Sequence, residues 1–333
     1  MTTIRRSIGR NGKSVNAIGL GCMGMAAFYG KPMEEAGAVK LLHAAIDLGV
    51  DHFDTAEMYG NGLNEQQLGA AFHDRRDKVF IATKFGPKIN FETQQRLPSD
   101  GSMENARRAL ENSLRYLKTD HVDLWYHHRR DRTRPIEDVV GTMAEFVKQG
   151  KVKAIGLSEV SADTLRAAAK VHPIAALQSE FSIFTRFVED EGILKACQDT
   201  GATLVAYSPL GRGMLTGAFK DGFKSDGGWD FRSVMAPRFM GDAMKNNLAL
   251  VEEIEAVAGQ LGATPGQVAL AWVLQRVDNI VTIPGTTKAD NLRSNLGASN
   301  VKLTGEALQR LDALAAKVKG ERYNEDGMKT VNA

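Results

Sequence analysis

The sequence is short of the features that mark secreted, membrane or metal-binding proteins. Its 333 residues include only two cysteines, Cys22 and Cys197, which are too few for a disulfide framework and lack metal-ligand spacing. No apolar run reaches the roughly 18 residues needed to span a bilayer. The N-terminal stretch MTTIRRSIGRNG has no apolar segment typical of a signal peptide. We therefore expect a cytoplasmic protein without a metal site.

Neither sign of charge dominates. The 42 basic and 40 acidic residues leave a net charge of only +2. Nothing in this balance indicates nucleic acid or an anionic membrane as a partner. The composition is compatible with a small-molecule ligand and leaves the oligomeric state open.

Short β-branched runs alternate with helical patterns along nearly the whole chain, and no Pro/Ser-rich linker divides it. The eight candidate strands are VNAIGL, DHFDT, KVFIATK, VDLWYHH, VKAIGLS, IAALQ, TLVAYS and NIVTIPG. Eight β-then-α units predict an α/β protein with a (β/α)8 TIM barrel in one domain over residues 1–333, with extra helical segments toward the C-terminus.

Two segments lie outside the eight-fold pattern. Near the N-terminus, Asn11-Gly12 between strand-like flanks predicts a β-hairpin with a type I′ turn, which could cover one barrel end. After the seventh strand, a Gly-rich segment from about Gly211 to Met244 shows little periodicity. Loops of that length are usually functional or disordered.

The stretch GLGCMG, Gly19 to Gly24, matches the G-x-G-x-x-G pattern of dinucleotide-binding folds. That mechanism needs a helix opening on the third glycine, whereas the next helix signal comes only near Pro32. A doubly wound NAD dehydrogenase would use Asp51 or Asp54 on the ribose, 27 and 30 residues past Gly24. This spacing is longer than such a unit prefers, so this alternative is the weaker one.

Titratable residues gather where barrel strands end, which is where this fold places chemistry. Asp54 ends the second strand and Tyr59 follows it, Lys84 ends the third, and His127 and His128 end the fourth. A buried lysine beside an aspartate stays charged, and its ammonium should lower the phenol's pKa toward the working range. An imidazole can donate to a carbonyl oxygen. Each residue alone is compatible with a structural role, but the set predicts acid chemistry.

Seven stretches of the chain resemble the successive signatures of the aldo-keto reductase family: DTAEMYGNGLNEQQLG, VFIATKFG, SLRYLKTDHVDLWYHHRRD, IGLSEVSADTL, LQSEFSIF, AYSPLGRGMLTG and IPGTTKADNLRSNLGA. The resemblance covers about residues 4–317. It implies a (β/α)8 barrel that reduces aldehydes or ketones with a nicotinamide cofactor, usually NADPH. The family's catalytic tetrad falls on Asp54, Tyr59, Lys84 and His128, because the family's Tyr-x-His-Arg-x-Asp run selects the second histidine.

The resemblance also implies a set of cofactor-binding residues at strand ends and on two loops. Besides Asp54, these are Gly21, Cys22 and Met23 at the nicotinamide pocket, Ser158 and Gln178 on its carboxamide, Tyr207 beneath its ring, Ser208, Leu210, Gly211 and Arg212 near the pyrophosphate, and Gly285, Thr286, Thr287, Lys288 and Asn295 toward the adenosine. In this reading GLGCMG lies near the cofactor for a reason unrelated to phosphate binding.

The sequence departs from the family's pattern at the adenosine end. Asn291 stands where many members have an arginine, and Ser294 where they have glutamate or glutamine. Lys288 and Arg293 remain as partners for a 2′-phosphate, although a lysine is less directional than a bidentate arginine. Glu159 stands where other branches have asparagine. The resemblance favours NADPH over NADH.

A third possibility comes from a different class of protein, because some relatives serve as cofactor-binding regulatory subunits of membrane complexes. The complete tetrad and the lack of an extra N-terminal segment favour an enzyme. Substrate identity depends on loops such as residues 87–101 and on the C-terminal KGERYNEDGMKTVNA, neither of which names a ligand.

Overall fold

The computed structural model describes residues 3–90, 92–93, 95–223 and 228–331, and eight parallel strands form its centre. The strands of the described chain are β1 (Arg5–Ser7), β2 (Ser14–Asn16), β3 (Leu20–Gly21), β4 (His52–Asp54), β5 (Phe80–Phe85), β6 (Ile89–Asn90), β7 (Gln95–Arg96), β8 (Leu124–His127), β9 (Ile155–Ser158), β10 (Ala176–Glu180), β11 (Thr203–Tyr207) and β12 (Ile280–Thr282). The sheet runs β3-β4-β5-β8-β9-β10-β11-β12.

The ends of this sheet meet. Ile18 pairs with Thr282 in parallel, and Gly21 pairs with Gly285. The amide of Gly19 donates to the Thr282 carbonyl at 2.8 Å. The strand order therefore follows the chain around a closed barrel, which confirms the predicted (β/α)8 fold and removes the doubly wound alternative.

Helices follow the barrel strands on the outside. They are α1 (Glu35–Asp47), α2 (Leu63–Phe72), α3 (Met103–Tyr116), α4 (Ile136–Lys148), α5 (Ala162–Val171), α6 (Phe187–Asp190), α7 (Ile193–Thr200), α8 (Phe231–Val234), α9 (Gly241–Leu261), α10 (Pro265–Leu274), α11 (Ala289–Leu296), α12 (Gly305–Asp312) and α13 (Glu325–Met328). Among the described residues, no helix has the length and apolar character to cross a bilayer.

Local sequence explains where these helices begin and which face they bury. The Ser102 hydroxyl accepts from the Asn105 amide and so caps α3, whose apolar side chains Ala106, Ala109 and Leu110 are buried. Helix α10 begins with a capping box between Thr264 and Gln267. Most of the residues of α10 are buried, and together with the buried faces of other helices they pack with the strands into a continuous core.

The predicted N-terminal hairpin is present, as β1 pairs antiparallel with β2. The predicted turn type is wrong. A type I′ turn needs positive φ at both central residues, whereas Asn11 has φ 63° and Gly12 is not among the residues with positive φ. A Cβ on Gly12 would lie 1.8 Å from the Ile8 carbonyl oxygen. Gly12 is needed for this close backbone approach rather than for an unusual φ.

The hairpin lies against the amino ends of the last strands. The Arg6 guanidinium donates to the carbonyls of Leu274, Val277 and Ile280 at 2.6 to 3.1 Å. The Gly9 amide donates to the Thr203 hydroxyl at 2.9 Å. The hairpin thus covers the barrel end opposite the carboxyl ends of the strands.

The long loop after β11 is more structured than its sequence indicates. It contains 3-10 turns at Gly211–Thr216 and Pro237–Phe239 and the short helix α8, and it ends at Met240 because α9 begins at Gly241. Residues 224–227 lie outside the described residues. Met214, Leu215 and Phe239 are buried, so both ends of the loop are anchored to the core.

Residues Lys319–Tyr323, here called the C-terminal strap, lie across the carboxyl ends of the strands. The Asn247 side chain donates to the Lys319 carbonyl and accepts from its amide, at 2.8 and 2.9 Å. Arg238 donates to the Gly320 carbonyl at 3.1 Å. The C-terminal segments thereby border the same barrel mouth as the residues expected to carry chemistry.

Candidate active site

Asp54, Lys84 and Tyr59 form one buried hydrogen-bonded chain at the barrel mouth. Parallel pairing of β4 with β5 brings Asp54 beside the strand that carries Lys84. The Lys84 Nζ lies 2.5 Å from Asp54 Oδ1, 2.7 Å from the Thr55 carbonyl and 3.3 Å from the Tyr59 hydroxyl. Gln178 donates to the other Asp54 oxygen at 2.7 Å. The lysine is completely buried and Tyr59 is 7% exposed.

The electrostatics of this chain differ in one respect from the sequence-based expectation. Burial lowers the pKa of Lys84, but Asp54 and Tyr59 more than reverse this, so its pKa is raised and the ammonium persists. Burial raises the pKa of Tyr59, and Lys84 offsets this only in part. The expected net lowering of the phenol's pKa is therefore wrong. Tyr59 is a fully protonated phenol at neutral pH.

The two histidines at the end of β8 point to different surroundings. The His128 ring meets the Tyr59 ring edge to face, with centroids 5.9 Å apart. The His127 ring lies 5.1 Å from Phe85, and its Nε2 is 3.3 Å from the Ser99 hydroxyl. Burial lowers the pKa of His127 to about 4, which leaves it uncharged at neutral pH. The structure brings His128, and not His127, to Tyr59.

An apolar wall that the sequence did not reveal surrounds the phenol. Tyr59 belongs to a small buried cluster with Ala27, Ala56 and Met58 that is separate from the main core. Phe28 packs on this cluster with its ring 6.3 Å from Tyr59, and Trp229 lies 5.9 Å from Phe28. These aromatic residues come from loops without regular periodicity, so no sequence pattern connects them to Tyr59.

The glycines of GLGCMG serve barrel packing. A Cβ on Gly19 would lie 2.8 Å from the His52 carbonyl oxygen, and one on Gly21 would lie 2.7 Å from that of Ile283. A three-residue 3-10 turn, Met23–Met25, follows instead of an α-helix. The Cys22 amide donates to the Asp54 carbonyl at 2.9 Å. This segment therefore adjoins Asp54 and lacks the helix that phosphate binding requires.

The residues expected to hold the nicotinamide lie on adjacent strand ends. Ser158 pairs in register with Gln178, and Tyr207 ends the next strand opposite Glu180. The Gln178 amide is bonded to Asp54, which links this row to the buried chain. The Tyr207 hydroxyl lies 2.7 Å from that of Tyr323.

The backbone after β11 follows an unusual path, with several residues in the left-handed region. Ser208 has φ 48°, and Gly211, Arg212 and Gly213 follow with φ of 55°, 57° and 97°. The Gly211 amide donates to the Ser208 carbonyl at 2.9 Å and the Gly213 amide to the Leu210 carbonyl at 3.0 Å, so these turns are held by the loop's own backbone. Positive φ at Ser208 and Arg212 is costly and is found mostly at functional sites.

The segment expected at the adenosine end lies at the same rim. Gly285, Thr287 and Lys288 are exposed, and Thr286 is half-buried. The Lys288 amide donates to the Thr286 hydroxyl just before α11 begins. Asn295 is 7% exposed. The row from Ser158 to Lys288 thus combines polar side chains, a loop of unusual backbone and an exposed lysine along one rim.

Buried ion pairs hold the C-terminal strap on the mouth. Arg322 contacts both carboxylate oxygens of Glu159 at 3.1 to 3.3 Å. Arg212 contacts Glu180 at 3.3 Å and lies over the Tyr323 ring. Burial raises the pKa of Glu159, but Arg322 and Arg129 more than reverse this, so the carboxylate is charged. Glu159 is therefore engaged by the strap, a pairing across 163 residues that sequence reasoning missed.

Comparison with known proteins identifies the family. The model of the Aldo/keto reductase family matches residues 17–316. A relative from Schizosaccharomyces pombe, the aldo-keto reductase yakc [NADP(+)], is 43% identical over 331 residues, which covers 97% of this chain and 95% of the relative. The protein belongs to the aldo/keto reductase family and is an oxidoreductase.

Solved structures agree with this assignment. A thermostable aldo-keto reductase, Tm1743, has a TM-score of 0.75 at 33% identity, covering 93% of this chain and 99% of its own. The glycerol dehydrogenase AKR11B4 from Gluconobacter oxydans has a TM-score of 0.83 at 27% identity, covering 96% and 97%. The expected family and fold are thus confirmed.

Proposed function

We propose that this protein reduces an aldehyde or ketone to the alcohol with NADPH, with Tyr59 as the proton donor, and that the reaction is reversible. The observation that carries the proposal is the buried chain Asp54–Lys84–Tyr59, with the His128 ring against the phenol. Such a chain has little structural value of its own, because a buried ion pair seldom stabilises a fold more than apolar packing would.

The cofactor is NADPH. Supporting this choice, the S. pombe relative is described as NADP(+)-dependent, and the rim offers Lys288 at its exposed end. Ser158, Gln178 and Tyr207 would hold the nicotinamide together with Gly21, Cys22 and Met23. The loop from Ser208 to Arg212 would hold the pyrophosphate, and residues 285–288 with Asn295 would hold the adenosine end.

In the reaction the carbonyl carbon gains a hydride and its oxygen gains a proton. NADPH, when bound, supplies the hydride and becomes NADP+. Tyr59 gives its hydroxyl proton to the forming alkoxide, which it can do because its raised pKa keeps it protonated. The Lys84 ammonium, 3.3 Å away, stabilises the tyrosinate that remains, and Asp54 neutralises the lysine.

His128 acts on the substrate oxygen. Its ring lies against Tyr59, so a carbonyl oxygen at the phenol is also within reach of the imidazole. Hydrogen bonds aimed at the developing negative charge lower the barrier. In the reverse direction, tyrosinate accepts the alcohol's proton, so alcohol oxidation should rise with pH.

Further proposals concern the setting of the reaction. The family match over residues 17–316 and one continuous apolar core support a single domain. The ligand is a small carbonyl compound, with no nucleic-acid or membrane partner, and the location is cytoplasmic. The small net charge supports the absence of a nucleic-acid or membrane partner, and the two free cysteines support the location.

The decisive experiment follows NADPH oxidation with a panel of aldehydes, quinones and cyclic ketones, comparing the wild type with Tyr59→Phe. The variant keeps the ring but lacks the proton, so turnover should fall about 100-fold or more while NADPH binding, measured by fluorescence quenching, stays unchanged. Near-normal turnover in Tyr59→Phe would remove Tyr59 from the reaction. A wild-type protein that binds NADPH but reduces nothing would favour a regulatory role.

A further inference from the structure

Arg129 is a buried cation at the barrel mouth, and the proposed reaction does not use it. It follows His128 directly and is only 9% exposed. Its Nη1 donates to the His128 carbonyl at 2.6 Å and to the Ser158 hydroxyl at 3.1 Å. The guanidinium therefore lies between the end of β8 and the end of β9, beside the proposed acid and the proposed nicotinamide site.

No carboxylate neutralises this guanidinium within the part of the chain that the structure describes. The Arg129 Nε is buried and without a hydrogen-bond partner. Glu159 is near enough to influence the pKa of Arg129, but both of its oxygens are taken by Arg322. A buried cation without a counterion is unfavourable by several kcal/mol. The arrangement is one that an anionic ligand would complete.

The charges around Arg129 point in the same direction. Two buried carboxylates, Glu159 and Glu180, face four arginines at the mouth. These are Arg129, Arg212, Arg238 and Arg322, with the last three paired to the two carboxylates. These six buried groups therefore sum to an excess of two positive charges. Burial lowers the pKa of Arg129, but Tyr207, Tyr323, Glu159 and Tyr59 together raise it, so the guanidinium stays charged.

The position of Arg129 relative to Tyr59 decides what kind of anion fits. Arg129 donates to the His128 carbonyl at 2.6 Å, and the His128 ring lies against Tyr59 with centroids 5.9 Å apart. The guanidinium therefore adjoins the place where a carbonyl oxygen would meet Tyr59 and His128. A carboxylate attached to the carbonyl carbon meets this requirement, and it suits a guanidinium, which binds two oxygens in one plane.

We propose that Arg129 is a specificity-determining residue that binds the carboxylate of a 2-oxo acid, so that this enzyme prefers 2-oxo acids to the corresponding neutral carbonyls. The inference rests on the proposed function and names the substrate class for it. The redox chemistry is unchanged: the 2-oxo carbon gains the hydride of NADPH, its oxygen gains the Tyr59 proton, and the carboxylate remains intact.

The test compares phenylglyoxylate with its methyl ester, which differ in one charge at the carboxyl group. The kcat/KM for each is measured with NADPH in the wild type, Arg129→Met, Arg129→Lys and Arg132→Met. Arg132 is exposed on the same loop and is the matched control for loss of one positive charge. Loss of a charge-assisted bond should lower the acid-to-ester ratio at least tenfold in Arg129→Met. Arg129→Lys should be intermediate and Arg132→Met unchanged.

A second measurement covers the case in which Arg129→Met does not fold. Oxamate, a 2-oxo acid analogue, should inhibit benzaldehyde reduction by the wild type competitively, and neutral oxamide should not. Arg129→Lys should weaken this inhibition. The proposal would be overturned if the acid-to-ester ratio were unchanged in the folded Arg129 variants or if oxamate and oxamide inhibited equally. It would also be overturned if the Arg129 substitutions changed only the binding of NADPH.

The experiments distinguish failure of the specificity proposal from failure of the proposed function. A wild type that reduces benzaldehyde and the ester but shows no Arg129-dependent preference for the acid refutes the specificity alone. A wild type that reduces no carbonyl refutes the proposed function. Calorimetric titration of the NADP+-loaded protein with oxamate then still shows whether Arg129 binds the carboxylate, because that measurement needs no turnover.

Discussion

Lys84 or Asp54 alone would be a buried, uncompensated charge that destabilises the fold, and the two charges cancel only when both residues are present. Both are buried, and their charged atoms are 2.5 Å apart. Removing one partner of a buried ion pair leaves an uncompensated charge and typically lowers the free energy of unfolding by about 3–5 kcal/mol. We expect Lys84→Met to show a loss of this size in urea denaturation, together with loss of turnover.

The double variant Asp54→Asn/Lys84→Met separates stability from chemistry. It removes both charges, so its free energy of unfolding should recover most of the loss. Turnover should stay as low as in Lys84→Met, because no ammonium is left to stabilise the tyrosinate. Recovery of turnover together with stability would mean that Lys84 acts only through folding.

Glu65 gives the stability of the protein a defined pH dependence. Burial raises the pKa of this carboxyl from 4.5 to about 7, and Thr83 donates to it at 2.6 Å. Between pH 4.5 and 7 the Glu65 carboxyl keeps its proton in the folded protein and has released it in the unfolded chain. Stability therefore falls as pH rises from 4.5 to 7, by up to about 3 kcal/mol at 1.36 kcal/mol per pKa unit.

Glu65→Gln removes this titration and preserves the acceptor for Thr83. We expect the variant's free energy of unfolding, measured by urea denaturation at several pH values, not to show the decrease between pH 4.5 and 7 that Glu65 causes in the wild type. Above pH 7 it should exceed the wild-type value. Parallel wild-type and variant curves would show that Glu65 does not titrate in this range.

At the residue scale, the sequence predicted the site residues that belong to local motifs and did not predict those that come together only through tertiary contacts. Asp54 and Lys84 lie in recognisable strands, and Tyr59 and His128 follow recognisable strands, so strand order alone brings them together. The pairing of Arg322 with Glu159 and the unpaired Nε of Arg129 depend on side-chain packing at the mouth, which carries no local signal. The same packing reversed the expected direction of the Tyr59 pKa.

At the scale of elements, the loop after β11 should change on cofactor binding. Its ends are fixed by buried Met214 and Phe239, so any change should be confined to the stretch between them. Hydrogen exchange of the free protein should be fast at residues 217–223 and 228–230 and should slow when NADPH is added, because the adjoining residues 208–212 contact the pyrophosphate in our proposal. Exchange that ignores NADPH would exclude closure of this loop over the cofactor.

The elements themselves were largely predictable. All eight barrel strands form where β-branched runs were found, since alternation of short strands with amphipathic helices has few other solutions. The first predicted strand, VNAIGL, is divided between β2 and β3 because the chain passes from the hairpin into the barrel within it. The turn at Asn11-Gly12 and the extent of the long loop were wrong, because both depend on contacts with distant backbone.

At the scale of the whole molecule, a net charge of +2 creates almost no general attraction for anions. Any preference for NADPH over NADH must therefore come from local cations such as Lys288, which is exposed beside the start of α11. We expect NADPH to bind more tightly than NADH, with a gap that narrows as salt is added. Titration of each cofactor by fluorescence at low and high salt measures this.

Lys288→Ala should reduce the difference in affinity between NADPH and NADH at low salt. Lys302→Ala removes another exposed charge elsewhere and should leave that difference unchanged. Tighter binding of NADH than NADPH at low salt would contradict the assignment of the rim segment to the 2′-phosphate.

The seam between Ile18 and Thr282 has a consequence for how the protein is made. The first barrel strand leaves the ribosome early, but its partner on one side follows 264 residues later. At about 5–20 residues per second, this delay is on the order of tens of seconds. Throughout that time the nascent sheet keeps an open edge, of the kind that pairs with other chains. Translation speed and chaperone supply should therefore govern the yield of this barrel more than the stability of the finished fold.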